Sequence, residues 1–268
     1  MSWKPTLLGA AALTAVAAAP AAAITNGQPD NGRHPYVGLI VFDDAPGHPV
    51  WRCSGSLLSP TVVLTAGHCT DGAVAARVWF AEDLTQNKEY PFSGTTSYDG
   101  EPHTNPNFCL NCRPGLPGFA YRDVGIVTLA EPVPTSVVSQ YAQLPRAGLV
   151  DNLGNKTPLD LVGYGVQEQL HGGGPPIWAG LRIRLYAPTE LISDNFTHSD
   201  EFIRIALNPG GGSGGTCFGD SGGPNLLRGS STVLAVTSYG ANRNCSGTGY
   251  SARIDIPDVL AWIKSFPE

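Results

Sequence analysis

The sequence predicts an all-β protein of two successive series of short antiparallel strands with a short helix at the C-terminus. Three observations carry this. The 268 residues include 33 Gly and 23 Pro, and only 14% are charged against 42% hydrophobic, a turn-rich mixture that suits many short strands. Apolar runs separated by turn signals fall into two series, divided by a proline-punctuated stretch. Only the last residues carry a helical period.

Residues 1–23 read as a signal peptide, with Lys4 at the positive end, an apolar stretch from Leu7 to Ala19, and Ala21-Ala22-Ala23 as a small-residue cleavage site. A membrane anchor is the rival reading. The apolar stretch is short for a bilayer and no stop-transfer pattern follows, so no anchor is expected.

The first barrel is expected over 24–134. Its strands are read at Tyr36–Phe42, Trp51–Leu58, Thr61–Thr65, Arg77–Phe80 and Val124–Leu129. The segment from Glu131 to Pro145 has no clear period and suits a crossover. The second barrel, 135–256, is drawn from Leu159–Gly165, Leu181–Tyr186, Glu201–Leu207, Gly223–Leu227, Val233–Tyr239 and Gly249–Ile254. Two Gly-rich stretches, 171–176 and 208–215, read as surface loops near the cleft between the barrels. In 257–268, Val259, Trp262, Ile263 and Phe266 share a helical face, and Pro257 suits the first turn.

The chemistry centres on Gly219-Asp220-Ser221-Gly222-Gly223-Pro224. A serine set between glycines is exposed to a carbonyl, while the tight backbone can aim successive N–H groups at one point. The pattern Gly-x-Ser-x-Gly also fits the nucleophile elbow of α/β-hydrolases, whose histidine follows the serine. Here the last histidine is His198, so a base must come from upstream. Thr65-Ala66-Gly67-His68-Cys69 supplies one, and Asp123, at the mouth of the strand Val124–Leu129, supplies an orienting acid.

The order His68, Asp123, Ser221, in these three motifs, resembles the trypsin/chymotrypsin-like serine endopeptidases, from Ile24 to about Phe266. The resemblance implies two six-stranded antiparallel β-barrels with the active site between them, and a secreted serine-type endopeptidase acting through an acyl-enzyme. It makes Ser221 the nucleophile, His68 the general base and Asp123 its orienter, with the N–H groups of Gly219 and Ser221 as oxyanion hole. It pairs Cys53 with Cys69 and Cys217 with Cys245, leaving Cys109 and Cys112. That Cys-x-x-Cys reads as a small structural disulfide in a loop outside the family pattern; a redox pair, or half a metal site with His103, are the alternatives.

The resemblance also implies that a free α-ammonium at Ile24 pairs with Asp220. Ile24 directly follows Ala21-Ala22-Ala23, so signal peptidase itself is expected to create the active N-terminus. The substrate pocket maps to Gly215, Thr216, Phe218, Ser238, Tyr239, Gly240 and Thr248. Gly215 at the floor offers no carboxylate for Lys or Arg, so medium-sized apolar or aromatic residues are expected before the cut bond, with small residues as the runner-up. Gly67 before His68, and Tyr239 where the family usually has Trp, are departures that bear on fine specificity.

The formal net charge of -6 and the lack of a basic run exclude nucleic acid as a partner. Polypeptide substrates and protein inhibitors of proteases are the partners implied, for a monomer. No cofactor and no metal, calcium included, is assigned. His34, His48, His103, His171 and His198 read as solvated. A catalytically silent binder on the same fold is the alternative function.

Overall fold

The structure is a computed structural model; it describes residue 24 and residues 27–267, apart from 111, 113–119, 167, 171–176, 180–181, 193–199, 208–213, 241–244 and 246. The signal peptide, both Gly-rich stretches except 214–215, and His171 and His198 therefore lie outside the described residues.

A two-residue strand β1 (Gln28–Pro29) precedes the first barrel, which uses β2 (Val37–Ala45), β3 (His48–Ser59), β4 (Val62–Thr65), β5 (Ala75–Trp79) and β6 (Tyr98–Thr104). A small hairpin, β7 (Cys109–Leu110) with β8 (Ala120–Tyr121), interrupts the chain before β9 (Gly125–Leu129) completes the set. The barrel is closed in the order β2-β3-β4-β9-β6-β5, so none of its strands presents an unpaired edge. Along β2 every residue from Val37 to Asp43 is buried, because the strand lies between the barrel core and the rest of the molecule. The one-turn helix α1 (Gly67–Thr70) follows β4 directly.

The rear half contains β10 (Pro158–Gly163), a hairpin of β11 (Glu168–Leu170) with β12 (Ile177–Ala179), then β13 (Leu185–Glu190), β14 (Phe202–Leu207), β15 (Pro224–Leu227), β16 (Val233–Gly240) and β17 (Gly247–Arg253). The main sheet runs β1-β13-β10-β15-β16-β17-β14 and curls on itself. Among the described residues β13 and β14 meet at the bridge Leu191↔Ile205 and through Thr189 Oγ1, which donates to Ala206 O at 2.6 Å, so this half is a curled sheet of seven strands counting β1, where the sequence suggests a closed barrel of six. The last element, α2 (Pro257–Ile263), buries Val259, Leu260 and Ile263 and starts with proline, as its period predicts.

Polar side chains stitch the halves together. Arg184 is buried, pairs with Asp30 at 2.9 Å, and donates to the carbonyls of Val37 and Phe80 in the front half. The phenol of Tyr164 donates to Ala81 O at 2.8 Å, and burial pushes its pKa up to about 12, which keeps it a neutral donor. His34 is not solvated, as the sequence suggested: it is buried against Asp30, 2.5 Å from Nδ1 to Oδ1. His103 likewise contacts Thr128 Oγ1 at 2.8 Å and packs on the ring of Phe266. Three disulfides are present, Cys53–Cys69, Cys109–Cys112 and Cys217–Cys245.

Candidate active site

His68 sits in α1, immediately after β4, and is fixed from two sides. Cys69 is tied to Cys53 of β3, and the backbone N–H of His68 donates to Asp123 Oδ1 at 2.7 Å. The imidazole Nδ1 lies 2.8 Å from Asp123 Oδ2, so Asp123 binds both the backbone and the ring of the same residue. Asp123 is fully buried in the turn before β9 and also accepts from Ser238 Oγ at 2.5 Å. Gly67 is needed here for space: a Cβ would stand 2.9 Å from Phe108, 3.0 Å from Val124 N and 3.2 Å from Asp123 Oδ1.

Electrostatics follow from this packing. Burial pushes the Asp123 carboxyl up, and the His68 charge with the hydrogen bonds from His68 and Ser238 outweighs it, so Asp123 is held below the ordinary carboxylate range. Burial pushes His68 down, and the charge and hydrogen bond of Asp123 outweigh it, so its pKa lies above the usual histidine value. With Nδ1 facing a carboxylate, the neutral ring carries its proton on Nδ1 and leaves the lone pair at Nε2.

Ser221 is carried by the loop between Cys217 and β15, and it is half-exposed. Three contacts press that loop against the His68 side. Ser54 N–H donates to Ser221 O at 2.8 Å, and Ser54 Oγ donates to Gly219 O at 2.9 Å. At Gly222, which has φ +77°, a Cβ would stand 2.0 Å from Thr65 Oγ1 and 2.7 Å from Ala66 N. The serine's neighbour thus abuts the segment leading into His68. From the other side Gly222 N–H donates to Thr237 O at 2.8 Å, next to Ser238. Gly219 has φ +92°, a conformation glycine adopts without strain. Among the described residues, the N–H groups of Gly219 and Ser221 donate to no acceptor.

Asp220, fully buried, accepts from Gly165 N–H at 2.8 Å and Cys217 N–H at 2.9 Å. Burial nonetheless pushes its pKa up to about 7. Ile24 is also fully buried, among Leu159, Leu161 and Ala187; in the intact chain its nitrogen is a peptide nitrogen and carries no charge.

Of the pocket positions, Gly215, Thr216 and Ser238 are buried, Phe218 is 53% exposed, and Tyr239 stacks on Tyr250 at 4.9 Å. In the strand register Gly240 lies opposite Gly249 and Thr248 lies opposite Ala206 of β14, so Thr248 and Gly249 point to opposite faces of β17. Where a Cβ of Gly249 would stand, the buried Ile205 and Leu207 are 3.0–3.1 Å away.

Sequence reasoning also missed Ser54, which accepts from Tyr164 N–H at 3.0 Å while holding the loop of Ser221. Its signal was present in the small-residue run Cys53-Ser54-Gly55-Ser56, which lets another chain approach closely. Among the described residues, one cluster, Cys53, His68 and Cys69, brings metal-ligand atoms together. Both of its sulfurs are in the disulfide and offer no thiolate.

Comparison with known proteins agrees with this architecture. Relatives include Serine protease 1 of Drosophila melanogaster, 25% identical over 249 residues that cover 90% of this chain and 84% of that protein. Brachyurin of Leptuca pugilator is 25% identical over 232 residues, 86% of this chain and 92% of that protein. The solved structure of HL collagenase aligns over 90% of this chain and 96% of that chain, with a TM-score of 0.66 at 19% identity. The family model named Trypsin matches residues 24–263, and the chain belongs to the trypsin family of serine endopeptidases.

Proposed function

We propose that the protein is a secreted endopeptidase in which Ser221, His68 and Asp123 form the catalytic triad. Ser221 Oγ attacks the peptide carbonyl carbon, and its proton passes to His68 Nε2. The carbonyl oxygen becomes the oxyanion and takes hydrogen bonds from the unengaged N–H groups of Gly219 and Ser221. On collapse of the intermediate, His68 returns the proton to the leaving amine, and the acyl group stays on Ser221. Water, deprotonated by His68, then releases the acid and restores the serine. Asp123 holds the Nδ1–H tautomer and stabilises the imidazolium formed in each step.

The observation that carries this reading is the 2.8 Å contact of His68 Nδ1 with a fully buried Asp123, beside a loop that packs Gly222, the residue after Ser221, against Thr65 and Ala66. Gly215 at the pocket floor, which offers no carboxylate to a buried cation, favours medium-sized apolar or aromatic residues before the cut bond over Lys or Arg. Release of the Ile24 α-amine by cleavage after Ala23 would give the buried Asp220 a cation. Rapid mixing with a chromogenic ester tests the mechanism. A burst equal to the enzyme concentration, absent in Ser221→Ala, is expected; ester turnover without a burst that survives the substitution would sink it.

A further inference from the structure

The nucleophile loop is held between two strands of different halves. Gly222 N–H binds Thr237 O of β16, the strand that continues through Ser238, Tyr239 and Gly240 into the pocket. Ser54 of β3 binds Ser221 O and Gly219 O from the opposite side. A peptide whose acyl half lies on the β16 side of Ser221 must therefore send its leaving half out over β3.

Arg52 lies on β3 at that exit. It is half-buried, and its Nε is 3.4 Å from where a Cβ of Gly219 would stand. Among the described residues its guanidinium has no ion pair and no hydrogen bond, unlike those of Arg77, Arg122, Arg184, Arg228 and Arg253, which all pair with carboxylates. Its charge reaches Asp220 and pulls that carboxyl down, though Asp220 is held by backbone N–H groups and not by the guanidinium. A half-desolvated guanidinium without an internal partner is suited to bidentate binding of a carboxylate brought from outside.

Resting on the endopeptidase reading, we propose that Arg52 is a substrate-binding residue that selects a carboxylate on the leaving side of the cut bond. The carboxylate is either an acidic side chain in the first or second residue after the bond or the C-terminus of a short peptide.

The test is a set of peptides with one acyl half and Asp, Asn or Lys in each of the two leaving positions, plus a pair ending in a free or an amidated C-terminus. The wild-type protein should cleave Asp over Asn peptides by about 5- to 10-fold in kcat/KM at low salt, as fits a partly exposed ion pair. That ratio should shrink as salt rises. It should fall to about one in Arg52→Gln, persist in part in Arg52→Lys, and turn toward Lys in Arg52→Glu. Preference for the free over the amidated terminus, lost in the same variant, identifies the terminal carboxylate as the source. A wild-type ratio of one, or a ratio unchanged in Arg52→Gln, overturns the assignment while leaving the hydrolase intact. Absence of any Ser221-dependent cleavage of these peptides overturns both.

Discussion

Replacing Asp220 by Asn should have opposite effects on the chain before and after cleavage at Ile24. In the intact chain the buried carboxyl titrates at about 7 against an ordinary 3.8, held by two backbone N–H groups and no ammonium. The folded state keeps its proton across that interval while the unfolded chain has lost it, so stability falls as pH rises from about 4 to about 7. Three units correspond to about 4 kcal/mol, all of it felt above pH 7. Asparagine removes that dependence but can accept only at its oxygen, so one N–H bond is lost, at about 1–2 kcal/mol. The uncleaved Asp220→Asn chain should therefore be about 2 kcal/mol more stable than its parent at pH 8, and less stable than it near pH 4. In the chain that begins at Ile24 the same change removes the partner of a buried ammonium and should destabilise by about 3–5 kcal/mol. Urea unfolding of both forms, each carrying Ser221→Ala to prevent self-digestion, reads the difference. Equal destabilisation of both forms at every pH would refute the reasoning, since the buried charge would then carry no penalty for a partner to relieve.

Other outcomes follow from the site's geometry. Catalysis needs neutral His68, whose pKa is raised, so kcat/KM should fall with acid through a pKa above 6.5; Asp123→Asn should lower that pKa and cost on the order of 10⁴-fold in kcat, read from pH–rate profiles. Gly222→Ala would put a methyl 2.0 Å from Thr65 Oγ1 at φ +77°, so it should destabilise by more than about 2 kcal/mol and abolish activity, measured by urea melts and burst size. Arg122, at φ +49° directly before Asp123, bridges Glu201 at 2.5 Å and Asp258 at 3.0 Å. Arg122→Asn keeps the left-handed backbone but loses both pairs, and it should lower stability by about 1–2 kcal/mol and kcat about tenfold with little change in KM.

How much of this was legible before the structure depended on what each residue's partner was. Strands whose side chains face a core announced themselves: Val37 to Phe42 and Val62 to Thr65 fall where apolar runs put them. The sixth strand of the front barrel did not. Tyr98–Thr104 contains Gly100 and Pro102 and no apolar alternation, and it pairs because Gly100 lets Val127 come close, a Cβ there standing 2.6 Å from Val127 Cγ1. His68, Asp123 and Ser221 were readable because their short flanking motifs are specific. Ser54 and Arg52 were not, since their roles come from a loop more than 160 residues away in the chain.

The central claim is that one serine is activated by the histidine and aspartate of the other half. Treating the protein with a serine-directed phosphonate and locating the adduct by peptide mass spectrometry tests it most directly. A single adduct on Ser221, formed far more slowly in His68→Ala and absent in Ser221→Ala, is the predicted result. Peptidase activity that persists while Ser221 stays unlabelled, or labelling that ignores the loss of His68, would contradict it.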